Sequence, residues 1–109
     1  MRTGLLFALL FSISAFGADE AAIQKGKVVY DAWCAPCHSP GNPGMIALQV
    51  KYNGSKPALV DERTDLPPAA VKVFVRKGVS IMPSFRKTEI SDADLEALTA
   101  YMVRKVPAK

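Results

Sequence analysis

Apolar and polar positions along this chain change rhythm several times, and each change marks a predicted element. From Gly4 to Ile13 nearly every residue is apolar, behind a basic Arg2 and ahead of the small residues Ala15, Gly17 and Ala18. That order predicts an export signal over residues 1–17 and a domain of residues 18–109. The run falls short of the about 20 apolar residues of a membrane span, although an uncleaved anchor is a second reading. Ile23, Gly26, Tyr30 and Trp33 then recur at steps of three and four. This is one helical face, and it predicts a helix from about Ala18 to Trp33. Gly26 inside that helix costs about 1 kcal/mol relative to alanine, so close approach of a second helix is the expected reason for it.

The rhythm is lost after residue 38, where Ser39-Pro40-Gly41-Asn42-Pro43-Gly44 is a turn cluster. The stretch from Met45 to Asp61 reads as a wrapping loop, with a short helix over Met45 to Lys51 as an option. A helix is expected from Pro68, a good first helical residue, to Lys77, with Val71, Phe74 and Val75 as its stripe and Gly78 as its stop. Val79 to Phe85 reads as an extended loop, because Pro83 holds Met82 out of helical geometry. The last helix is expected from Asp92 to Lys105. Ser91 is its N-cap, Asp94 completes a capping-box variant, and Ile90 staples to Leu95. No strand pair is evident, so the fold class is all-α, a set of short helices.

Composition adds limits to this picture. The chain has 109 residues and a formal charge of +4, with no folded basic motif interleaved with aromatics, so nucleic-acid binding lacks support. One small domain has little core of its own and gains from a staple. The two cysteines, Cys34 and Cys37, are too close together for a disulfide to be a strong one.

Those cysteines carry the chemistry. Trp33-Cys34-Ala35-Pro36-Cys37-His38 contains C-x-x-C-H, the attachment signature of a c-type haem. Each sulfur would add to a porphyrin vinyl group, and His38, the only histidine, would supply the proximal imidazole. The rival is W-C-x-P-C of thioredoxin-like dithiol oxidoreductases, where one cysteine is a low-pKa nucleophile. That motif follows a buried strand, whereas a helical pattern precedes Cys34. Methionine sulfur opposite histidine would close the iron site for electron transfer. Met82, in a proline-stiffened loop with no helical role, is the leading candidate. Met45 lies close to His38 in sequence, and Met102 falls on the apolar face of the last helix.

Gly26-x-x-x-Tyr30-x-x-x-Cys34-Ala-Pro-Cys37-His38, Pro57-Ala-Leu59, Gly78-Val-Ser-Ile-Met82-Pro83-x-Phe85 and Leu98-x-x-Tyr101 together resemble a class I cytochrome c. The resemblance spans residues 18–109 and implies one covalently bound haem c with iron held by His38 and Met82. It implies that Gly26 and Tyr30 pack against Leu98 and Tyr101. It also implies that the Pro57 carbonyl accepts a hydrogen bond from His38, a contact that would orient the ring. More narrowly, Ala47 to Tyr101 resembles the cytochrome subunits of p-cresol methylhydroxylase and eugenol hydroxylase type flavocytochromes. That implies an electron-transfer protein rather than an enzyme, exported to the periplasm, which accepts electrons from a flavoprotein partner. A free periplasmic shuttle is the alternative. Lys72, Arg76, Lys77, Arg86 and Lys87 bracket the Met82 loop and are expected to form a basic rim. Met45, Ile46, Leu48, Ile81 and Phe85 offer an apolar surface nearby, shared between haem packing and a partner.

Overall fold

The computed structural model describes residues 15–107. The expected export signal lies outside the described residues, apart from the helical backbone of 15–17. Among the described residues five helices occur in order: α1 Ala15–Trp33, α2 Ala35–His38, α3 Pro43–Tyr52, α4 Pro68–Lys77 and α5 Asp92–Met102, with a 3-10 turn at Val60–Glu62. Among the described residues there is no strand, only an isolated bridge between Val79 and Met82. The all-α expectation holds.

α1 and α5 cross face to face, and Gly26 sets their separation. A Cβ on Gly26 would lie 2.6 Å from the carbonyl carbon of Ala97 and 2.7 Å from Cβ of Tyr101. No side chain fits there, which accounts for a glycine inside a helix. One turn on, the rings of Tyr30 and Tyr101 meet with centroids 5.3 Å apart at 51°. Tyr30, Leu95, Leu98, Tyr101 and Met102 form the core with Val71 and Val75 of α4, Leu66 and Ile90.

The N-terminus of α5 forms as expected: Ser91 Oγ accepts from the Asp94 amide at 3.1 Å, and Ile90 is fully buried. α5 ends at Met102 rather than Lys105, and the chain turns over Val103 to Lys105 before Pro107. α4 has the expected bounds, and Gly78 at its end has φ 70° and ψ 176°, a conformation reserved for glycine.

The loop expected from Met45 is instead a ten-residue helix over its first part. Pro43 stands in its first turn, and Asn53 in the left-handed region (φ 47°) closes it. No residue of α3 is buried, so this helix packs its apolar residues against no protein core.

Gly26→Ala tests the crossing. Helix propensity alone favours alanine by about 1 kcal/mol, yet overpacking costs about 1–3 kcal/mol. The thermal midpoint is expected to fall, by about 4–8 °C per kcal/mol of net loss for a domain of this size. A rise would mean that the helices separate freely.

Candidate functional site

α1 delivers the motif. The Cys34 amide donates to the Tyr30 carbonyl at 2.8 Å, and the His38 and Cys37 amides donate to the Cys34 carbonyl at 2.9 and 3.1 Å. The chain therefore turns from α1 straight into the short α2, and Cys34, Cys37 and His38 face a single cavity of about 470 Å³. This volume lies within the ordinary range of cofactor sites. Ala47, Leu48 and Tyr52 of α3 line it, as do Val71, Phe74 and Val75 of α4 and Leu98 and Met102 of α5. Val79 to Pro83 contribute the last side, with Met82 among them. Much of the chain's apolar surface thus faces this space rather than other protein.

Burial pushes the Cys34 thiol up to about 12, with a smaller contribution from Cys37. A dithiol nucleophile needs the opposite shift, towards thiolate at neutral pH. A helix also precedes the motif, so the thioredoxin-like reading fails on both counts. Burial lowers the pKa of His38, which Asp61 partly opposes, so the neutral imidazole is the stable form. Its Nδ1 is buried without a hydrogen-bond partner. Two unbridged thiols, an imidazole whose neutral form burial favours and a mostly apolar cavity suit a flat, thioether-linked haem.

The hydrogen bond implied between His38 and the Pro57 carbonyl is not made. Pro57 is exposed and lines a separate cavity of about 390 Å³ with Met45, Gln49 and Leu59. The first turn of α3 lies against the motif, where a Cβ on Gly44 would come within 2.7 Å of the Cys37 carbonyl oxygen and 3.2 Å of His38 Cε1. Of the three methionines considered, Met82 and Met102 line the larger cavity and Met45 lines the smaller one.

The Met82 loop is held from several sides. Val79 and Met82 exchange backbone hydrogen bonds of 3.1 and 2.9 Å, across a turn in which Ser80 has φ 54°. The Phe85 amide donates to the Val75 carbonyl at 2.7 Å, and the Phe85 ring meets Trp33 edge-on at 5.9 Å. Arg76 donates to the carbonyls of Phe85 and Ile90 and to Asp92. Sequence reasoning placed Arg76 on a basic rim and missed this role, because the carbonyls it joins lie 9 and 14 residues away.

The expected basic rim is neutralised only in part. Lys72 pairs with Glu96, and Arg76 and Lys87 share Asp92, so two carboxylates answer three of its five cations. A side chain that folding already pairs adds little to a long-range field.

Known proteins fit this site. Residues 21–102 match the family described as cytochrome c oxidase, cbb3-type, subunit III. The chain is 32% identical over 98 residues to the cytochrome c subunit of 4-cresol dehydrogenase [hydroxylating] from Pseudomonas putida, covering 90% of this chain and 74% of that one. It is 35% identical over 98 residues to cytochrome c-555 of Chlorobaculum tepidum, covering 88% and 85%. Against the cbb3-type oxidase subunit CcoP of Azospirillum brasilense it is 30% identical over 113 residues. The chain spans about a third of the length of the CcoP relatives it matches. No solved structure matches it at a comparable level.

Gly78→Ala tests the loop's support. A Cβ there would lie 2.6 Å from the Met82 carbonyl oxygen, whereas one on Gly54, also at positive φ, meets nothing within 4 Å. Left-handed alanine costs about 1–2 kcal/mol, so Gly54→Ala is expected to lose about that much. Gly78→Ala should lose more, by about 1–3 kcal/mol of overpacking. Equal losses in thermal or denaturant unfolding would show that Gly78 supports nothing.

Proposed function

The chain belongs to the cytochrome c family of the cbb3-type oxidase subunit III group, and from that premise we propose that it relays electrons as the haem subunit of a flavoprotein dehydrogenase that oxidises alkylphenols. Membership makes it an electron-transfer protein rather than an enzyme, and implies covalently bound haem c. One observation carries the finer reading: Cys34, Cys37, His38 and Met82 line one apolar cavity. In this reading a single haem is held by thioethers at Cys34 and Cys37. His38 supplies an imidazole nitrogen and Met82 a sulfur to the iron. Bound haem would supply a reversible one-electron couple, which the Met82 sulfur as ligand would bias towards the reduced state. The chain's own work is to hold the two ligands and exclude water. Tyr30, Leu66, Leu98 and Met102 form a mostly apolar wall, and the tethered loop keeps Met82 in place.

The flavoprotein assignment draws on the 4-cresol dehydrogenase subunit, of which the chain covers three quarters. Two surface features support a lasting partner. Part of the rim's charge is taken up by its own ion pairs, which weakens steered encounters without abolishing them. Ile81, beside Met82 at the cavity wall, is 81% exposed, and Val79 and Phe74 beside it are exposed too. We place the protein outside the cytoplasm, after loss of residues 1–17. Coverage of 85% of cytochrome c-555 favours the second reading, a free carrier.

Two measurements test this. Met82→Ala is expected to lower the reduction potential, admit carbon monoxide to the iron and remove the sulfur-to-iron absorption of the oxidised protein. If Met102→Ala or Met45→Ala does this instead, the ligand is misassigned. Co-expression with a flavin-dependent phenol oxidoreductase encoded beside it should give a complex that survives moderate salt, where screened encounter complexes dissociate. Elution as a lone monomer favours the free carrier.

A further inference from the structure

The 3-10 turn Val60–Glu62 sends its three side chains different ways. Val60 lines the large cavity and Glu62 the smaller one, while Asp61 turns to α5, where Oδ2 accepts from the Tyr101 hydroxyl at 3.4 Å. That bond is long for an O–H donor. Tyr30 packs on Tyr101 and lines the large cavity one turn before Cys34. Burial, and then the Asp61 charge, push the Tyr30 phenol far above its ordinary range, so it stays protonated. The cations of this region are spent elsewhere. Lys27 on α1 pairs with Asp31 at 2.6 Å, Lys105 bonds Glu62, and Arg104 lies over the Tyr101 ring and donates to the Tyr101 carbonyl. Among the described residues no ion pair engages Asp61, although it is half-buried. Its charge is also felt at the proposed iron ligand. Burial lowers the proton affinity of His38, the Asp61 charge opposes this, and Nδ1 there is buried without a partner. A carboxylate partly removed from water is costly unless a positive charge compensates it.

We infer that Asp61 is the fixed anion of the site: acting through space at His38, it stabilises oxidised iron and holds the reduction potential down. The inference rests on the haem reading of this cavity. Oxidation raises the charge at the iron by one, so the oxidised centre is the cation that Asp61 lacks. In a low local dielectric such a charge acts without contact. Tyr101 is a positioning residue, whose hydroxyl holds the carboxylate and offsets part of its charge. Glu62 carries the same charge one residue on, but it is exposed and bonded to Lys105, so its field is screened.

The experiment is spectroelectrochemical titration of purified holoprotein at about pH 8, far above the carboxylate range. Wild type, Asp61→Asn, Asp61→Glu, Glu62→Gln and Tyr101→Phe are compared, each with its thermal midpoint. Asp61→Asn is expected to shift the reduction equilibrium about tenfold towards reduced iron, or about 59 mV for a one-electron couple. Asp61→Glu should keep most of the wild-type value, and Glu62→Gln should stay within about twofold of it. Tyr101→Phe removes the hydroxyl that offsets the anion, so it should shift the equilibrium about twofold towards oxidised iron. If Asp61 were only a structural acceptor, Asp61→Asn would lower the midpoint temperature and leave the potential within about twofold of wild type, which overturns the inference. A shift in Asp61→Glu or in Glu62→Gln as large as that in Asp61→Asn overturns it as well. Should Asp61→Asn fail to assemble, the sign of the Tyr101→Phe shift decides the matter. A wild-type chain with no c-type spectrum overturns the haem reading and this inference with it. An intact spectrum with an unmoved potential overturns this inference alone.

Discussion

The contact between α1 and α5 at Gly26 governs the rest of the molecule. Backbone meets backbone there, with no side chain between, and interfaces that tight admit few relative orientations of two helices. The crossing stacks Tyr30 on Tyr101 and aims the C-terminus of α1 at the cavity. Cys34 bonds to the Tyr30 carbonyl, so the attachment motif inherits the orientation of α1 with no flexible joint. Leu98 and Met102 on the facing helix become the opposite wall. A single missing Cβ thus sets where two thiols and an imidazole lie.

The remainder of the chain shows what that frame lacks. α3 has apolar residues on every side and buries none of them. A helix apolar all round belongs in an interior, and here the interior on its inner side is the cavity. The protein core is confined to the side where α1, α4 and α5 meet. A covalently tethered apolar disc would complete the other side, so folding and cofactor attachment are two parts of one hydrophobic closure.

Legibility followed the range of the interactions. Local ones were readable. Ser91 with Asp94, Ile90 beneath the cap, and Pro68 with Gly78 lie within a few residues of what they cap, and all occur where the pattern placed them. The C-x-x-C-H motif is local as well, and its helical approach separated it from a dithiol motif. α3 was read mainly as a loop because its apolar run is continuous, so no period of 3.6 shows against a background apolar on both sides. The contact implied for Pro57 depends on the path of a distant loop, and Pro57 lines the smaller cavity while His38 Nδ1 has no partner among the described residues. The strength of the basic rim was overstated for a different reason. Charge can be counted along a sequence, but the partners that offset part of it lie far away, as with Lys72 and Glu96, 24 residues apart. Arg76 shares this history: it looked like surface charge, and it turns inward to the Phe85 and Ile90 carbonyls.

An electron carrier works fastest when its site changes little between oxidation states, and the Met82 loop is built to resist change. Its turn is closed by two backbone hydrogen bonds. Gly78 holds its entry in a conformation that no other residue adopts at low cost. Its exit is joined to α4 by the Phe85 amide, to α1 by the Trp33 edge contact and to α5 by Arg76 and Asp92. Three helices therefore share the anchoring of a single sulfur. With Met82 as ligand, loss of the iron–sulfur bond would leave the loop nearly where it was, so rebinding would need no search. Such preorganisation places the energetic cost in folding, before any electron arrives. The same anchoring leaves Ile81, at the tip, largely exposed.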